Sequence, residues 1–179
     1  VNEPYVPLPP SLAARPRDLH RGLPIPFVSQ HERGGRSVVD FVGVNVERAL
    51  RCADEQLCGL CGWPLGYWIA FLGGPKSAAL LQYTDPPMHE DCAFAALKLC
   101  PHIAIQRHHR APEHRVADDT WTPLGWTERK PDRWMLCSTR RFEHRLHYGS
   151  VLFLPAPFKR VGTFRYDENG ALIEERRYS

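Results

Sequence analysis

The stretch CGLCGWPLGYWIAFLGG, residues 58–74, sets a Cys-x-x-Cys pair at the mouth of an apolar run. A second pair of soft donors, in HEDC at residues 89–92, starts fifteen residues beyond Gly74. Two cysteines flanking a tight turn aim their sulfurs at one point, and Gly59 and Gly62 supply the backbone freedom that turn needs. His89 and Cys92 are three apart at a helix start and so share a face. The exposed N–H groups of a helix N-terminus also favour thiolate over thiol. Cys58, Cys61, His89 and Cys92 are therefore the expected ligands of one zinc ion (Zn2+). Four protein ligands fill a tetrahedron and leave no position for water or substrate, so the zinc is expected to be structural.

The remaining cysteines read differently. Cys52 lies near an apolar helical stripe, and Cys137 alternates with apolar neighbours in WMLCST; both are expected in the core. Cys100 lies more than two helical turns beyond the first turn that holds Cys92, too remote to join it. The N-terminal stretch VNEPYVPLPPSLAARPRDLH lacks the basic-then-apolar layout of a secretion signal, and no apolar run is long enough to span a membrane. A cytoplasmic location follows as the expectation, and there six cysteines point to metal before disulfide.

Outward from the knuckle, VNVERALRCADEQL (44–57) carries Val46, Ala49, Leu50, Ala53 and Leu57 at helical spacing, with Asn45 as N-cap. YWIAFL (67–72) and AALLQYT (78–84) are expected to form a hairpin across GGPKS. A helix is expected from about Pro87 to Leu99, capped by Thr84 or Asp85, with Cys92, Ala95, Ala96 and Leu99 on its buried face. Residues 103–133 read as a long polar loop. RWMLCST, SVLFLP, RVGTFRY and ALIEERR read as strands, the last two joined at Asn169-Gly170.

Prolines number 17 and crowd the first 26 positions, which makes residues 1–36 an extended, proline-rich N-terminal arm packed across the domain or partly disordered. Residues 37–179 then form a single zinc-stabilised domain. Its class is α+β: a zinc knuckle of hairpin plus helix, with a mainly antiparallel β C-terminal part.

Cys-x-x-Cys, hairpin, then His-x-x-Cys on a helix resembles a treble-clef zinc finger, and its ligand types resemble one half of a LIM module. RGLPIPFV, LCGLCGWPLG, FLGGP and PPMHEDCAFAALKLCP together resemble a group of bacterial and phage-associated zinc-knuckle proteins without a known activity. The likeness covers roughly residues 20–105, with a weaker match in PAPFKRV. It implies a shared scaffold joining arm, knuckle and zinc helix, and no particular function.

Catalytic signatures are missing from the sequence. HNH nucleases, also built on a treble clef, need a histidine on the hairpin; between Cys61 and Asp85 there is neither histidine nor acid. No serine elbow and no phosphate-cradling glycine motif occurs, so no catalytic residue is assigned. Binding is the better-supported class. Arg107, Arg110, Arg115, Arg140 and Arg141 are interleaved with Trp121, Trp126 and Trp134, the residue types that phosphate contact and base stacking require. Glu113, Asp118, Asp119, Glu128, Asp132 and Glu143 dilute that charge, and the net +3 permits nucleic acid without demanding it. Nucleic acid is the expected partner, a protein partner or an enzyme of another type the alternative. His108, His109 and His114 fit either a second metal site or a solvated, anion-facing loop.

Overall fold

Strand β3 (Ile69–Gly73) organises the molecule, and all five of its residues are buried. The computed structural model describes residues 7–41, 43–100, 103 and 131–179. In it β3 pairs antiparallel with β4 (Trp134–Thr139), β4 with β7 (Arg160–Tyr166), and β7 with β8 (Leu172–Arg176). Alternate side chains of β3 point to opposite faces. Ala70 and Leu72 join Leu136, Trp134, Phe164 and Tyr166 against α4 (Glu90–Leu99), which contributes Cys92, Ala93, Ala95 and Leu97. Ile69 and Phe71 meet Ala49 and Ala53 of α2 (Val46–Asp54), together with Tyr83, Val151 and Phe153. A strand covered on both faces must be apolar throughout, which is why IAFL shows no alternation.

The hairpin of β5 (Phe142–His147) and β6 (Ser150–Pro155) closes the second face. Its two-residue turn, Tyr148-Gly149, has φ of 45° and 73°, the positive values that match strand twist. Near the N-terminus β1 (Gln30–Arg33) and β2 (Arg36–Val39) pair around Gly34 and Gly35. Before them, the short helix α1 (Pro10–Ala13) buries Leu12 in the α4 core. The main-chain N–H of Phe27 then donates to Leu60 O at 2.8 Å. Helices with antiparallel sheets make this an α+β protein. Among the described residues no helix is long and apolar enough to cross a membrane.

Helix α2 sits where the periodicity placed it, with the Asn45 side chain accepting from Arg48 N–H at 3.1 Å. It ends at Asp54, and Gln56 follows at φ 55°. The expected hairpin over 67–84 does not form. Residues Pro75–Leu80 are a short helix, α3, because Pro75 presets its first turn and Ala78, Ala79 and Leu80 are strong helix formers with no β-branching. The true partner of β3 lies some sixty residues on, in β4, a distance local pattern cannot bridge.

The metal-site helix also starts later than expected. Neither Thr84 nor Asp85 caps it; His89 is the N-cap residue and makes no side-chain cap bond. Pro86 and Pro87 hold the chain extended. Met88 is committed to β3 by two bonds, Ala70 N–H to its carbonyl at 2.8 Å and its N–H to Ala70 O at 2.9 Å. That bridge covers the free edge of β3. Strand β5 had no sequence signal, since FEHRLH is exposed along most of its length.

Candidate metal centre

The knuckle is a turn drawn shut by its own backbone. Cys58 N–H donates to Trp63 O and Gly62 N–H to Cys58 O, both at 2.8 Å. Gly62 has φ +77°, and a Cβ there would lie 2.8 Å from the Phe27 ring. A Cβ at Gly59 would lie 2.8 Å from Pro86. Only glycine fits either position, because neighbouring chain presses the knuckle from two sides. Gly59 N–H reaches Pro87 O at 2.8 Å, so the segment that carries His89 is tied to the turn that carries the first cysteines.

Across this junction the donor atoms of Cys58, Cys61, His89 and Cys92 all lie within 4.8 Å of one another, and these residues can hold one metal ion. Cys61 Sγ is 3.3 Å and Cys92 Sγ 3.9 Å from His89 Nδ1. Those separations bracket the edges of a tetrahedron of metal–thiolate and metal–imidazole bonds, about 3.5–3.8 Å. The supporting contacts are those a metal site needs. His89 Nε2 lies 2.9 Å from Pro64 O; as N–H donor there it leaves the Nδ1 lone pair facing the sulfurs. Main-chain N–H of His89 points to Cys58 Sγ at 3.5 Å. Ser11 Oγ of α1 lies 3.9 Å from Cys92 Sγ.

The three cysteines are almost wholly excluded from solvent, and their protons are contested. Interaction with Cys58 first, then with Cys92 and His89, draws the Cys61 thiol far below its ordinary range. Cys58 and Cys61 push the Cys92 thiol up, with burial adding to it. The same two sulfurs raise His89 to about 11. Donors this close cannot all be charged unless a cation sits among them, and metal binding to such a set releases protons. Arg15, half-buried and bonded to Ile25 O and Gln30 Oε1 at 2.9 and 2.6 Å, supplies positive charge near Cys61. Burial and Arg48 lower its pKa while Cys61 raises it.

Four residues that the sequence nominated are thus brought to one point. Cys52 and Cys137 are fully buried in the core, where burial raises their thiols to about 12 and about 11. Cys100 is half-buried at the C-terminal end of α4, outside the cluster. Arg140 and Arg141 are exposed at the β4–β5 corner. Arg107, Arg110, Arg115, the three loop histidines, Trp121 and Trp126 lie outside the described residues.

Sequence reading missed the surroundings of the helix start. Glu90 accepts from Arg160 Nη1 at 3.2 Å and from the Tyr178 hydroxyl, which also meets Ser138 Oγ at 2.5 Å. It also assigned Tyr67 and Trp68 to an apolar strand, whereas both precede β3, Tyr67 well exposed. The glycine before them, Gly66, was the available signal. No protein-family model matches this chain, and neither a curated protein nor a solved structure shows significant similarity to it.

Proposed function

We propose that this protein is a binding module held together by a structural zinc ion, and that its partner is nucleic acid. The closed donor set carries the first half of the reading. Three thiolates and one imidazole, already oriented by Pro64 O and by main-chain N–H, suit zinc and saturate it. The geometry resembles a treble clef whose hairpin is reduced to the Ala70–Met88 bridge, with α3 inserted between its arms. The purified chain should contain about one zinc ion, and Cys58→Ser should lose it; full metal retention in that variant would sink the ligand assignment.

The partner is supported by the exposed Arg140 and Arg141 and by the expected basic stretch around Arg107, Arg110 and Arg115. Fluorescence anisotropy with labelled DNA and RNA across a salt series tests it. Micromolar or tighter binding that weakens steeply with salt means phosphate contact. A protein partner is the second reading, favoured by β5: among the described residues its outer edge has no strand neighbour, and it exposes Leu146. Flat curves for DNA and RNA alike hand the role to that edge.

A further inference from the structure

We propose that Tyr67, Trp68, Arg140 and Arg160 form a stacking platform for single-stranded nucleic acid, a refinement that rests on the nucleic-acid reading above. The platform is built by strand register. Ile69 pairs with Thr139 and Ser138 with Arg160, so Trp68, Arg140 and Arg160 come together at one end of the β3–β4–β7 sheet. There the Arg140 guanidinium lies 4.4 Å from the Tyr67 ring centre and 5.2 Å from that of Trp68. Arg160 lies 4.1 Å from the Trp68 ring centre, and the two rings meet edge to face at 5.3 Å.

Each part of this cluster has a use for a nucleotide strand. A guanidinium stacked on a ring keeps its N–H edge available to phosphate. Arg140 has no carboxylate partner among the described residues, whereas Arg160 shares Glu90, so the cluster keeps net positive charge. Tyr67 is 63% exposed and offers a flat face. Only an unpaired strand has base faces to lay on it, since duplex bases are covered by their neighbours.

The platform is anchored to the sheet beneath it. Ile69, next to Trp68, is buried and laddered to β4. Arg160 is braced by Glu90 in the first turn of α4, beside the metal ligand His89. A strand lying here would contact a surface whose shape the metal centre maintains, so little ordering is needed on binding.

The test is anisotropy of the zinc-loaded full chain with labelled oligo(dT), a duplex of the same length and poly-glutamate as competitor. Tyr67→Ala should weaken oligo(dT) binding about tenfold, and Tyr67→Phe should restore it because the ring face remains. Arg140→Gln should weaken binding by roughly three- to tenfold and reduce the salt slope by about 0.7. If the wild type binds oligo(dT) while both Tyr67→Ala and Arg140→Gln bind equally well, the platform is overturned and the nucleic-acid reading stands on other residues. Equal affinity for the duplex, or equal displacement by poly-glutamate, overturns the single-strand assignment. Absence of binding to any nucleic acid by the wild type overturns the broader reading and the platform with it.

Discussion

The two faces of strand β3 are held by different physics. On the Ala70–Leu72 side, α4 reaches the sheet with small residues, Ala93 and Ala95, and its first turn carries Cys92 to the knuckle cysteines Cys58 and Cys61. On the Ile69–Phe71 side a mesh of rings does the packing. Phe71 sits 5.0 Å from Tyr83 and 5.9 Å from Phe142, and Phe142 sits 5.9 Å from Phe153. The ring face is stabilised by buried apolar area and by ring contacts. The Ala70–Leu72 face buries three cysteines and half-buries a histidine, with donor atoms all within 4.8 Å of one another, a crowded set that a metal ion would stabilise. Apolar packing carries one side, and the other holds a donor set that can bind a metal ion.

Removing the proposed zinc is the sharpest way to separate the two faces. Chelation at neutral pH should lower the thermal midpoint by ~10 °C or more, because the binding energy of a structural metal is folding energy. Since β3 belongs to both faces, the chelated protein should still melt in one transition; two resolved calorimetric transitions would show the faces to be independent. Phe153→Ala, on the ring face, should cost about 3–5 kcal/mol while zinc content stays at the wild-type level. Loss of metal from that variant would mean the rings also shape the ligand site.

A smaller effect belongs to Gly62→Ala. The positive φ and the Phe27 ring together should cost about 1–3 kcal/mol and weaken metal retention in a chelator competition. A wild-type result there would show that the knuckle has room the structure does not display. Smallest is Tyr83→Phe. The buried Tyr83 hydroxyl makes no hydrogen bond of good geometry among the described residues; burial first, then its contact with Cys137, raises its pKa. Its removal should be neutral or stabilising by up to about 1 kcal/mol in denaturant unfolding. A clear loss of stability would reveal that the Cys137 contact supports the ring face.

The sequence and the structure agree unevenly along the chain. The four clustered donors were legible because coordination chemistry demands particular side chains at short spacing, and Cys58 to Cys61 and His89 to Cys92 satisfy it within four residues each. Helix α2 was legible from its apolar stripe and its Asn45 cap. The hairpin turn at Asn169-Gly170 was legible from its dipeptide, Gly170 having φ +81°. The helix at Pro75–Leu80 was misread because a short apolar run fits helix and strand alike, and the proline at its start deserved more weight. Strand β5 escaped because, apart from Phe142, most of its side chains face solvent and its pattern carries no regular alternation.

By itself, the sequence determined the donor set, the α+β class and the turn at Asn169-Gly170, since each rests on residue chemistry over a few positions. Tertiary structure decided the rest. It chose β4 rather than residues 78–84 as the partner of β3, and it used Met88 to cover the strand's edge. It also placed Tyr67 and Trp68 beside Arg140 and Arg160 at the end of a sheet. The first and last of these depend on backbone hydrogen bonds and packing between segments some sixty or more residues apart. Chain closure over such distances is decided by the collective fit of the core and leaves no mark in any short stretch of sequence.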